Sequence, residues 1–291
     1  MVTKLIKVRL AFPNNVRHKI LPTTGTYESG LEASNRTSTV YFISAICILI
    51  LWLLAYESNW ILAGEMWAEM GTNFYPNANS SSIYNIFFST DAGYIPIPQR
   101  LIAFTGRLLG LSASATPYFY TWSGIVLSGM LIASFCLPQF RVLIKSDSLR
   151  FLTAIVIILV ADFETRTFIS FTYFSAFFIA TITALALVDT SKQVPWWSWF
   201  IPLLIISKPA VLAALPAMVL VAMVSKSRFR WITLAAIIMC IGQIIQMIIS
   251  HKAGAFAAAT DISLVAKVTA SIKYFFAFLG AYSLGPYIKP N

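Results

Sequence analysis

Between Ser38 and Tyr56 the chain runs for nineteen residues without a charged side chain. At about 1.5 Å per residue, a helix of that length spans about 28 Å, close to the hydrocarbon thickness of a bilayer. A second uncharged run, Pro117 to Leu137, repeats the pattern. Of the 291 residues 58% are hydrophobic and only 11% are charged, against about 25% charged in a soluble domain. A self-contained water-soluble enzyme is therefore not expected. The expected fold is all-α, a polytopic transmembrane helix bundle of seven or eight membrane segments, some short or kinked, with a long outer loop after the first span.

The basic residues set the orientation. Lys4, Lys7, Arg9, Arg17, Lys19 and Arg36 precede the first span, so residues 1–37 read as a basic cytoplasmic tail. A cleaved signal peptide would place a shorter apolar region nearer the start. The second span closes on Arg141, Lys145 and Arg150 and so returns to the cytoplasm, which leaves residues 57–116 outside. Later segments follow as Phe151–Ala161, Thr167–Val188, Pro195–Ile206, Ala210–Val224, Trp231–Ser250 and the apolar stretch Ser271–Ile288. This assignment puts 13 of the 21 Lys and Arg inside and 7 of the 11 Asp and Glu outside. Residues 38–291 thus form the membrane domain. The sequence stops at Asn291 soon after an outward crossing, as expected of a chain cut short of its natural end; a seven-span protein with an outer C-terminus would look the same.

Lys and Arg outnumber Asp and Glu by 21 to 11, but apolar runs scatter them, which sets topology rather than forming a nucleic-acid surface. Cys47, Cys136 and Cys240 lie within apolar runs and read as buried small apolar side chains, not as disulfide or metal ligands. Phosphate-binding loops, dinucleotide fingerprints, zinc-protease motifs and nucleophile elbows are missing from the sequence, so a cytoplasmic nucleotide-driven reaction has no visible apparatus.

Polar chemistry collects on the outer side. Glu65 and Glu69 are four apart, the spacing that puts two carboxylates on one helix face. They can accept a proton or hold a divalent cation, although nothing requires one. A solvated interfacial helix anchored by Trp60 and Trp67 accounts for them equally. Further on, Asp91 precedes Gly93, Tyr94, Pro96 and Pro98, a turn from which a carboxylate can project. An amphipathic segment follows in which Arg100 and Arg107 share a face and can meet phosphate or simply snorkel. Asp162, Glu164 and Arg166 crowd one polar turn, where pairing among themselves competes with a functional role. Lys208 sits beside Pro209 at a kink between two apolar arms. In the last long span, Gln243 and Gln246 read as helix-to-helix hydrogen-bonding residues.

An uncleaved first span, a long acidic outer loop and short helix pairs joined by polar outer turns together resemble the GT-C superfamily of polytopic glycosyltransferases. The segment Asp91, Gly93, Tyr94, Pro96, Pro98, Arg100, Leu101 is similar to a segment in the first outer loop of bacterial members that build surface polysaccharide. The 162–166 cluster with Phe171, Tyr173 and Phe174, and the Ser207, Lys208, Pro209 kink, look similar to the group's outer turns. The resemblance covers about residues 39–225. It implies a bacterial inner-membrane enzyme that moves a sugar from a polyprenyl-phosphate donor to a cell-envelope glycan or lipid acceptor. Its catalytic carboxylate would be Asp91, with Glu65 and Glu69 as alternatives. Tyr94, Arg100, Arg107, Glu164, Arg166 and Lys208 would bind substrate, and no cofactor would be required. This chain departs from better-defined branches in spacing its early acidic pair four residues apart. An envelope polysaccharide polymerase or ligase, and a transporter or flippase, are the competing classes; a transporter would place its ionisable residues near the bilayer midplane.

Overall fold

The computed structural model describes residues 24–161, 167–188, 193–225 and 227–251, with a few positions between 263 and 273; side chains are described from Asn35 on, except those of Ser227 and His251. Among the described residues the structure is helical, with one isolated bridge between Asp91 and Tyr94 and no strand. Four helices are long and apolar enough to cross a membrane: Asn35–Tyr56, Thr116–Cys136, Phe171–Val188 and Arg228–Ser250. Trp196–Ile205 and Pro209–Val224 are shorter apolar helices. The expected Ser271–Ile288 segment lies almost wholly outside the described residues.

Helix α1 (Thr24–Tyr56) starts before the expected first span and packs against α6 (Thr116–Ala133) and α7 (Asp147–Val160). Helix α6 packs in turn on α8 (Phe174–Val188). The short α9 (Ile201–Ile205) and α10 (Leu215–Val224) sit against α11 (Ser227–His251). Local chemistry fixes several boundaries. Pro117 occupies the first turn of α6, where its missing N–H costs no helical bond. Ser146 caps α7 by accepting from the Leu149 backbone N–H at 3.3 Å.

Small residues let α6 approach its neighbours. A Cβ on Gly124 would stand 2.9 Å from the Phe168 backbone, and one on Gly129 would stand 3.3 Å from Leu49 of α1. Without water to drive helices together, such close backbone contact is what holds a membrane bundle. The core contains Leu49, Leu53, Ile125, Ile132, Phe178 and Ile182, while Leu51, Leu220, Met223, Ile241, Ile245 and Ile248 are exposed. So much exposed aliphatic surface suits lipid rather than water. Cys136 and Cys240 are buried as expected, but Cys47 is exposed on the outward side of α1.

One end of the bundle is tied by charge. Asp147, at the start of α7, accepts two hydrogen bonds from Arg141 at 2.9 Å and one from the buried Arg150. Arg141 also reaches Ser38 Oγ at 2.8 Å and Asn35 Oδ1 at 3.1 Å, joining α1 to the 138–150 segment. The hydrogen bonds from Arg141, reinforced by Arg150, hold the Asp147 carboxyl well below the usual carboxylate range.

Candidate functional site

The segment after α1 is broken into short pieces: α2 (Ser58–Leu62), a π-turn at Met70–Phe74, α3 (Tyr75–Ala78) and α4 (Ile83–Phe88). Gly64 and Ala68 both have positive φ, at 65° and 47°. These left-handed positions interrupt any helix through residues 64–68, which corrects the expectation that Glu65 and Glu69 share one helix face. Glu65 is exposed and Glu69 half-buried.

Asp91 and Tyr94 frame a tight hairpin. Their backbones exchange hydrogen bonds of 2.7 and 3.1 Å, and the central residues Ala92 and Gly93 both have positive φ, at 48° and 86°. That backbone form matches a two-residue turn of the primed type, for which glycine is suited and alanine is strained. The turn sets the two side chains together, and Tyr94 Oη donates to Asp91 Oδ2 at 3.4 Å. Asp91 is 8% exposed. Burial, followed by the negative charge of Glu69, raises its pKa above the ordinary carboxylate value, while Lys208, Asn73 and Tyr94 pull it back. Lys208 enters from the kink between α9 and the 3-10 turn Pro209–Ala214, with Nζ 5.3 Å from the Tyr94 ring centre and 5.6 Å from that of Tyr173. Aromatic faces stabilise a cation while leaving its N–H donors available.

The arginines hold this loop in place. Arg100 lies in α5 (Ile97–Leu108), the helix expected from the proline and amphipathic pattern, but it is buried rather than displayed for phosphate. Its Nε donates to the Ser89 carbonyl at 2.8 Å, its Nη2 donates to Asn73 Oδ1 at 2.8 Å, and its plane lies over Phe74. Burial lowers its pKa to about 10, which leaves it cationic at neutral pH. Arg107 donates to the carbonyls of Ala78 and Ser80 at 2.9 and 2.8 Å, so it fastens the earlier loop to α5. Glu164 and Arg166 lie outside the described residues.

Two contributors had no signal in the sequence, and a third has a different partner from the one expected. Asn73 joins Arg100 to the hairpin, donating to the Thr90 carbonyl at 3.4 Å. Gln99 is buried and donates to the Ile169 carbonyl at 2.9 Å and Thr172 Oγ1 at 3.3 Å, which ties α5 to the turn carrying Tyr173. Gln243 accepts from the Ile95 backbone N–H at 3.3 Å, so its partner is the loop leading into α5 rather than another helix. A glutamine inside an apolar run was the only available signal for Gln243. Asn73 and Gln99 gave none.

The result is a carboxylate of raised proton affinity, a second carboxylate, an ammonium between two tyrosines and a rigid backbone frame. It can accept a proton and bind an anion side by side. Among the described residues no group of metal-ligating side chains is assembled. Comparison with protein-family models, curated proteins and solved structures yields no match. Fold and composition define the class as a membrane protein with several transmembrane helices.

Proposed function

We propose that the protein is a GT-C-like glycosyltransferase of the bacterial inner membrane, moving a sugar from a polyprenyl-phosphate donor to an envelope glycan or lipid acceptor at the outer face. In this reading the N-terminal tail is cytoplasmic, residues 57–116 lie outside, and seven or eight segments enter the membrane. The observation that carries it is Asp91 within electrostatic reach of Lys208, on a loop fixed to the bundle by Gln99, Arg100 and Gln243. Asp91 takes the proton of the acceptor hydroxyl as its oxygen attacks the anomeric carbon of the sugar. The bond from that carbon to the donor phosphate oxygen breaks, and Lys208 stabilises the negative charge of the departing polyprenyl phosphate. Tyr94 orients Asp91 through its hydroxyl, while Arg100 and Arg107 position the loop. Glu69 keeps Asp91 basic through its charge.

Transfer from radiolabelled polyprenyl-phosphate sugars in membranes tests this reading. Activity with at least one donor that falls in Asp91→Asn and Lys208→Gln at equal membrane abundance is expected. Transfer that survives both substitutions would move the chemistry elsewhere.

A further inference from the structure

The non-helical stretch that carries Asp91 has its backbone satisfied by protein. The Ser89 carbonyl accepts from Arg100 Nε at 2.8 Å and the Thr90 carbonyl from Asn73 at 3.4 Å, Asp91 and Tyr94 bond to each other, and the Ile95 N–H donates to Gln243. The Ile95 and Pro96 carbonyls accept from the Ile97 and Arg100 N–H groups, both at 3.0 Å. A solvated loop can leave such groups to water. Within a bilayer, irregular backbone is tolerated only where it is buried in protein that satisfies it.

The flanking chain forms an antiparallel pair. Phe87 of α4 meets Phe104 of α5 edge-on with ring centres 5.0 Å apart, and Arg107 reaches back to the Ala78 and Ser80 carbonyls. Residues 78–89 therefore run toward the Asp91 turn, and α5 runs away from it. Two spanning helices measure where that turn lies. Gln243, the partner of Ile95, is seven residues before Ser250, where its span ends, and so about 10 Å inside that end. Gln99 holds the Ile169 carbonyl, and the neighbouring Phe168 backbone lies against Gly124, eight residues, or about 12 Å, past the start of the α6 span at Thr116. At the far end of α5, a Cβ on Gly106 would stand 3.2 Å from the ring of Phe119, only three residues past Thr116. Helix α5 thus climbs back along α6.

Away from the bundle the pair is apolar. Ile83, Tyr84, Phe88, Leu101 and Leu108 are exposed, whereas the charged residues of 83–108 are Asp91 and Arg100, both buried, and Arg107 at the upper end, where an arginine can meet headgroups. Asn85 and Thr105, exposed on the same helices, donate to Ser80 Oγ at 3.2 Å and to the Leu101 carbonyl at 2.8 Å. Leu101 also borders an apolar groove of about 500 Å³ that includes the exposed Met130 of α6, so this face continues the lipid-facing surface of a spanning helix.

We propose that residues 83–108 form a re-entrant hairpin, with the Asp91 turn about 10 Å below the ends of the spanning helices and the exposed face of α4 and α5 against lipid acyl chains. A hairpin that enters and leaves the bilayer on one side keeps the side assigned to residues 57–116. Its placement is independent of the transfer chemistry at Asp91.

Single nitroxide labels on the full chain in phosphatidylcholine vesicles, with Cys47, Cys136 and Cys240 replaced by alanine, test the depth. Labels at Phe88→Cys and Leu101→Cys should collide with oxygen several-fold more than with a water-soluble nickel chelate, matching a label at Leu51→Cys on the exposed side of α1. A label at Ser81→Cys, before α4, should favour the chelate. All four positions are exposed, so labelling leaves the packed core intact. Chelate-dominated collisions at Phe88 and Leu101 would overturn the proposal by placing the pair above the membrane. Low collision with both reagents there would overturn it too, because protein rather than lipid would then cover the face.

Discussion

The two ends of the bundle bury charge in opposite ways. Around Asp147, two guanidinium groups, a serine and an asparagine are bonded to one another, and the carboxyl is held strongly ionised. Around Asp91, the acid is buried with a tyrosine hydroxyl at 3.4 Å, and the lysine whose charge lowers its pKa faces tyrosine rings. A dense network spends most of its donors on holding helices together, although Arg150 Nε stays buried without a partner among the described residues. A sparse one keeps proton affinity and an available ammonium for something that arrives. The lesson is that a buried acid's partners separate structural from chemical roles better than burial does, since both carboxylates are largely withdrawn from solvent.

Four substitutions sharpen or break this contrast. Asp91→Asn should have the largest effect, lowering transfer by about 10²- to 10⁴-fold with thermal stability of the purified protein almost unchanged. Equal losses of stability and activity would make Asp91 a structural residue like its counterpart. Asp147→Ala strands the buried Arg150 and should destabilise the protein by about 3–5 kcal/mol, read as a lower Tm with transfer per folded molecule preserved. Because the folded Asp147 pKa is depressed, its stabilising contribution is complete above the unfolded value of about 3.9 and fades as pH falls through and below it. The Tm difference between wild type and Asp147→Ala should therefore narrow on acidification.

Lys208→Gln should act through pH. Asp91 serves as a base only when ionised, and its raised pKa puts the acid limb of the rate profile above the ordinary carboxylate value. Lys208 draws that pKa down, so its removal should move the limb to higher pH, besides weakening donor binding. A limb that stays in place would separate Lys208 from Asp91. The smallest effect is expected from Glu65→Gln, because Glu65 is exposed; transfer within about twofold of wild type is the outcome typical of a surface carboxylate.

Apolar run length made the long spans legible, and Gly93 with the two prolines made the hairpin and α5 legible, because each of these signals acts within a few residues. The supposed helix through Glu65 and Glu69 was misread for the same reason. Spacing of four describes a helix face only if the backbone stays right-handed, and Ala68 at a positive φ gives no warning in the sequence. The fate of Arg100 was hidden because its acceptors, Ser89 and Asn73, lie 11 and 27 residues away. Gln243 and Ile95, 148 residues apart, meet only once α11 is placed beside the hairpin loop. Chemistry-bearing residue types could be read locally; their partners depended on how the helices stack.

Gly124 gives that stacking a tolerance. The Phe168 backbone occupies the place where any larger residue would begin, and the next residue, Ile169, supplies the carbonyl that Gln99 grips. Residues 171–173, which deliver Tyr173 to Lys208, follow directly. A methyl group added at Gly124 would act as a shim in a fitted joint, forcing the 167–173 turn outward and misaligning tyrosine, lysine and hairpin. The alignment of the polar site is therefore gauged inside the bundle, at a residue with no side chain to offer.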